Sequence, residues 1–198
     1  MAHIPFGVDI SKYTPGKSKY PNSLFYIGAL DWLPNVQGID WFLKNVWANI
    51  LAKFPDTQFH IGGRNMPDSL RNGNYPNVVF HGEVENAKAF IEDYDIMLVP
   101  LLAGSGVRIK IIEGMAMGKP IVTTSVGIEG IECRLGQDVL VADESKQFAE
   151  AVCRCLGDTI FKGDLGKHAR MFIEKNGSID QATAKLVGFY NEMILQKQ

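Results

Sequence analysis

The sequence has no apolar run approaching the ~20 residues that a membrane-crossing helix needs. Its start lacks the basic, then apolar, then small-residue pattern of a secretory leader. Together these point to the cytoplasm. Cysteine is scarce: Cys133, Cys153 and Cys155 only. The count is odd, and Cys153 and Cys155 fall two apart on an expected helix, so they point different ways. That excludes a disulfide framework and fits free buried thiols in a reducing compartment. Charge of one sign is missing too. Twenty Lys and Arg against 22 Asp and Glu leave a net charge of −2, so nothing in the bulk electrostatics favours nucleic acid or an anionic membrane. Of the four histidines, His3, His60 and His168 show no partner spacing for a metal or a hydrolytic triad, and no metal site is expected.

What is present is an alternation. Short apolar runs at 23–28, 57–63, 77–82, 95–100, 121–124 and 138–141 read as strands, the buried kind with apolar residues on both sides. Between them lie helical patterns near 35–50, 85–93, 106–117 and 145–156, and two more helices follow at 160–175 and 179–196. This order specifies an α/β fold: a Rossmann-like, doubly wound parallel sheet with helices on both faces, in one domain of 198 residues. Asn35 and Ser145 are placed to cap their helices.

The densest stretch is Gly104-Ser-Gly-Val-Arg-Ile-Lys-Ile-Ile-Glu113. It follows the fourth strand and opens a helix expected to start near 106 or 107. Small residues let backbone N–H groups approach a ligand, and a helix N-terminus favours an anion, above all phosphate. Arg108 and Lys110 have the wrong sign for a helix N-terminus, which makes sense if a dianion sits there. Glu113 shares a helix face with Lys110. Ligands of such sheets sit beyond the strand C-termini. The turns after Gly28, Gly62, His81 and Leu101 all converge on that rim.

The run from Gly104 to Val122, with Gly-Met-Ala-Met-Gly-Lys-Pro-Ile-Val closing it, resembles the donor-nucleotide motif of family 4 glycosyltransferases, enzymes of the two-domain GT-B fold. The resemblance implies that Gly104, Ser105, Gly106, Val107, Arg108 and Lys110 hold the diphosphate of a UDP- or GDP-linked sugar, and that Glu113 binds the ribose. Many members carry a second glutamate eight residues upstream; here that position is Ser105. Gly28-Ala-Leu-Asp-Trp-Leu-Pro-Asn35 resembles the family's first turn. Other branches place an arginine and a lysine around it, and positions 29–38 have neither. By the same resemblance Gly28, Asn35, Arg64, His81, Gly82 and Val84 line the cleft and the base. Asn35 is equally readable as a cap, Arg64 as a solvated loop arginine, and His81 as a structural histidine. The loop 125–130 resembles one that packs behind the site, with Glu129 read as structural.

The resemblance covers nearly the whole chain. Residues 1–20 resemble the family's interdomain linker, 21–178 its nucleotide-sugar domain and 179–198 its crossover helix. The expected partner is therefore a nucleotide sugar, with no other cofactor, together with an acceptor-binding domain upstream. In the full-length enzyme the site could lie at the inner membrane surface. Phe189, Tyr190, Met193 and Ile194 are expected to be partly exposed and open to self-association. The implied activity is transfer of a sugar to an acceptor hydroxyl with retention, with no catalytic residue assignable in this chain and none expected to act alone. Competing readings are another GT-B enzyme such as a UDP-sugar 2-epimerase, a Rossmann dehydrogenase domain, whose glycine fingerprint 28–33 lacks, or a non-catalytic nucleotide-binding or interaction module.

Overall fold

The computed structural model describes residues 7–195, with side chains described through Met193. The start of the expected linker (His3 and Pro5 among it) and the Ile194 side chain lie outside the described residues. Six strands form one parallel sheet: β1 (Tyr20–Ile27), β2 (Phe59–Gly62), β3 (Val78–Gly82), β4 (Tyr94–Val99), β5 (Ile121–Thr123) and β6 (Leu140–Val141). Their order is β3-β2-β1-β4-β5-β6. Leu24 of β1 is paired with Phe59 on one side and Ile96 on the other. The chain therefore runs outward from β1 to β3, returns to β4 beside β1, and runs outward again. The reversal lies between β1 and β4.

Both faces of the sheet are apolar because alternate residues of each strand point to opposite layers. Leu24, Tyr26, Ile96 and Leu98 share one core with α1 (Leu33–Asn45), α2 (Trp47–Leu51) and α6 (Ser145–Gly157). Phe42 meets Phe59 edge-on at 5.0 Å, and the buried Trp47 donates its indole N–H to the Pro76 carbonyl at 2.8 Å. Phe25, Ile27, Met97 and Val99 share the other core with α4 (Ala87–Asp93), α5 (Ile109–Ala116) and α7 (Thr159–Asn176). Gly114 lets α5 lie tight on the sheet: a Cβ there would stand 2.6 Å from Met97 Sδ. The short α3 (Asp68–Arg71) and the long terminal α8 (Ile179–Leu195) complete the set. Among the described residues no helix is long and apolar enough to cross a membrane. Tyr190 and Met193 on α8 are exposed and Phe189 is half-buried.

Several local expectations need correction. The helix expected over 35–50 breaks at Val46, whose φ of −115° ends α1 before Trp47 turns inward. Asn35 is no cap; Trp32 holds that position and Asn35 is buried inside the first turn. Ser145 is not a cap either: Glu144 precedes α6 without a side-chain bond. Side-chain caps form elsewhere: Asn86 accepts from Ala89 N–H at 3.0 Å, Asp158 from Phe161 N–H at 2.9 Å and Ser178 from Gln181 N–H at 3.2 Å. α5 starts at Ile109, later than expected, because Gly104 and Gly106 hold φ of 120° and 87° and Arg108 is extended. The segment expected as plain loop is a strap. Val8 N–H donates to Gly177 O at 2.8 Å, Ile179 N–H to Val8 O at 3.2 Å, and a 3-10 turn spans Ile10–Lys12.

Candidate functional site

The reversal between β1 and β4 lies at the C-terminal rim, where doubly wound sheets hold ligands in the crevice between the flanking loops. Two loops border it, 28–32 after β1 and 100–108 after β4. Position 63 has no room for a side chain: a Cβ there would overlap the Gly28 carbonyl, so the loops after β1 and β2 lie backbone to backbone.

Lys110 enters this crevice from the first turn of α5. Its ammonium donates to Tyr26 OH at 2.9 Å and lies 4.2 Å from the Tyr26 ring centre. Gly28 is required below it: a Cβ would overlap Lys110 Nζ and stand 2.8 Å from Tyr26 OH. Burial, reinforced by the neighbouring Arg108 charge, pulls the Lys110 pKa down to about 7. Burial also raises the Tyr26 phenol, which keeps its proton. Beside them Asn35 donates to Ala29 O at 2.7 Å, while its buried Oδ1 has no partner among the described residues.

Arg108 is the second cation. It is buried, at 7% exposure, and its Nη1 donates to Ser105 O at 2.6 Å and Gly106 O at 2.7 Å. The side chain thus clamps its own loop and packs under the exposed Trp32 ring at 5.4 Å. Its Nε and Nη2 are buried with no partner among the described residues. Neither Arg108 nor Lys110 is ion-paired among the described residues. A buried, unmatched donor costs about 1–3 kcal/mol, more when charged. Gly104, Ser105 and Gly106 above it are exposed, and α5 begins without a side-chain cap. An open helix start beside two basic side chains without an ion-pair partner among the described residues is an arrangement that favours an anion.

The other expected residues divide. Val107 is half-buried beside the loop and turns towards Gly130. Glu113 accepts from Tyr13 OH at 3.0 Å, leaning towards the strap while Lys110 leans towards β1. Gly82, at φ 69°, and Val84, against Gly62, form the rim after β3. Arg64 is exposed and reaches Asp31 at 3.8 Å, tying the second loop to the first. His81 turns away from the crevice: its Nε2 lies 3.0 Å from His60 Nδ1 and 3.2 Å from Tyr94 OH. Tyr13, Tyr26 and Trp32 were not singled out from the sequence. A polar-tipped Tyr26 one residue before the end of a buried strand was the available signal. Among the described residues no cluster of three or more His, Cys, Asp or Glu is placed to hold a metal. A hollow of about 540 Å³, lined by Tyr20, Asn22, Lys53 and Thr57, lies at the strands' N-terminal ends, away from where such sheets bind ligands.

The family model described as "Glycosyl transferases group 1" matches residues 21–158. An uncharacterized 44.6 kDa protein of the cps region of Klebsiella pneumoniae is 24% identical over 163 residues, 78% of this chain and 42% of that protein. Among solved structures, a mutant of S. aureus TarM in complex with fondaparinux, alpha-GlcNAc-glycerol and UDP superposes with a TM-score of 0.77 at 17% identity over 93% of this chain and 38% of that one. Anabaena HepE in complex with UDP and glucose gives 0.71 at 16% identity over 93% of this chain and 55% of that one. The six-stranded Rossmann-like sheet is what the chain shares with them. The chain spans about half or less of the length of these relatives.

Proposed function

This chain belongs to the glycosyl transferases group 1 family, and we propose that it is the donor-binding, C-terminal half of a family 4, GT-B glycosyltransferase that transfers a sugar from a nucleoside diphosphate sugar to an acceptor hydroxyl with retention. The observation that carries this is the pair Arg108 and Lys110 at the β1/β4 reversal, buried or half-buried and without an anionic partner among the described residues. A diphosphate supplies the missing charge. Lys110 and the two free edges of Arg108 meet its oxygens, with the backbone of 105–107 and the start of α5 beside them. As the bond to the sugar breaks, the same groups neutralise the charge developing on the leaving diphosphate. Glu113 takes the ribose hydroxyls, and Gly82 and Val84 border the base. Both solved neighbours named above are complexes with UDP, so a UDP-sugar is the first donor to test, with GDP-sugars second.

The acceptor and the opposite wall of the cleft belong, in this reading, to a second domain of the kind that would account for the relatives' greater length. This chain then binds donor without catalysing transfer. Calorimetric titration of UDP and GDP, with a thermal-shift series over their sugars, tests the assignment. Binding that stabilises the wild type and is lost in Lys110→Ala supports it. No heat and no shift from either nucleotide at millimolar concentration overturns it.

A further inference from the structure

The Tyr13 hydroxyl donates to Glu113 Oε1 across 100 positions of sequence, at 3.0 Å. The tyrosine is held from several sides. Its carbonyl accepts from Arg170 Nη1 at 2.7 Å and its N–H donates to Ile10 O at 3.0 Å. Arg170 also donates to Ala116 O at the end of α5 and to Glu174 Oε1 at 2.7 Å. The strap's other end is bonded to Gly177 and Ile179. A half-buried, anchored phenol therefore grips one oxygen of a carboxylate on α5. Each carboxylate oxygen accepts two hydrogen bonds, so Oε1 can still take a ligand hydroxyl, and no partner of Oε2 is found among the described residues. Burial and the Glu113 bond push the Tyr13 pKa up to about 12, so the phenol stays a donor at any physiological pH.

We infer that Tyr13 is a positioning residue for recognition of the nucleotide's vicinal diol. It fixes the plane of the Glu113 carboxylate so that both oxygens meet the 2′- and 3′-hydroxyls. Without it, the glutamate of a half-exposed helix face has freedom in three torsions that binding must freeze. The inference rests on reading Glu113 as the ribose ligand, and the experiment separates the two.

Affinities of UDP, GDP and their 2′,3′-dideoxy counterparts are measured for wild type, Tyr13→Phe and Glu113→Gln, with the nucleotide-free melting midpoint of each. The ratio of ribo- to dideoxynucleotide affinity is the readout, because a general loosening of the fold lowers both alike. The expected result is a wild-type ratio of roughly 10 or more, a several-fold smaller ratio in Tyr13→Phe, and unchanged dideoxynucleotide binding. If Tyr13→Phe keeps the wild-type ratio, or loses both nucleotides equally, Tyr13 does not position the diol while the reading of Glu113 stands. If Glu113→Gln also leaves the ratio intact, the ribose assignment falls and takes this inference with it.

Discussion

Lys110 and Tyr26 meet edge to tip: the ammonium donates to the phenol at 2.9 Å while standing 4.2 Å from the centre of the same ring. The phenol is a neutral acceptor and the ring face a weak cation partner, so neither replaces the water that burial removes. Arg108 adds a like charge nearby. The protonated form of Lys110 is thus poorly compensated among the described residues, and in the proposed reading a bound anion supplies the balance.

A proton should therefore enter with the nucleotide. The folded pKa of about 7 lies below the ordinary 10.5, so between these values the unliganded side chain is mostly neutral. A bound diphosphate favours the charged form and raises the pKa, so binding near pH 8.5 takes up a proton, approaching one per site. Titrations in Tris and in HEPPS, whose ionisation enthalpies differ, should give different heats for wild type and equal heats for Lys110→Met. Equal heats for wild type would refute the arrangement.

In the proposed reading Arg108 does two jobs with different ends of one guanidinium. Nη1 bridges the carbonyls of Ser105 and Gly106, and Nε and Nη2 are left over. A lysine cannot do both, since its ammonium is a single point charge. Arg108→Lys is expected to lower UDP or GDP affinity by about tenfold or more, close to the loss in Arg108→Ala. The exposed Trp32 ring above the guanidinium should report binding as a fluorescence change in wild type. A lysine variant that binds normally would show that the leftover donors face no ligand.

The parallel sheet with helices on both faces was legible because strands buried on two faces leave continuous apolar runs, and 23–28 or 95–100 could be little else; the order of the strands was not. The charge pattern at Arg108 and Lys110 was legible for a related reason: it contradicts the helix dipole. What stayed hidden depends on partners far along the chain. Nothing near Asn35 indicates that its amide turns inward to Ala29, nor near His81 that its ring meets His60. Tyr13 reads as part of a loop until α7 supplies Arg170. The late start of α5 follows from two positive-φ glycines, and glycine composition alone does not say which sign φ takes.

Two glycines of the rim should respond differently to the same change. At Gly63 a Cβ would overlap the Gly28 carbonyl and stand 3.0 Å from Leu30 Cγ. Backbone cannot swing aside, so Gly63→Ala should destabilise by about 2–3 kcal/mol in a urea titration. At Gly28 the first obstacle is the mobile end of Lys110. Gly28→Ala should therefore cost less stability, displace the ammonium and weaken nucleotide binding. The reverse ranking would mean that Lys110 is fixed more firmly than the neighbouring backbone.

The histidine pair sets the acid limit. His60 is 6% exposed, stacks on Tyr94 at 4.2 Å, and has a buried Nε2 without a partner among the described residues. Burial, then the nearby His81, lowers its pKa from 6.5 to about 4. The folded state therefore holds His60 neutral where the unfolded chain already binds a proton. Its contribution is fully present above pH 6.5, is lost progressively as pH falls towards 4, and changes no further below that. The whole fall corresponds to up to ~3 kcal/mol. His60→Phe keeps a ring against Tyr94 and has no proton to bind. Its urea midpoint should decline less steeply than that of wild type between pH 6.5 and 4. Some slope should remain from His81, whose pKa burial also lowers. Parallel declines in the two proteins would mean that the acid sensitivity comes from other groups, and that His60 is protonated in the fold at no greater cost than in the open chain.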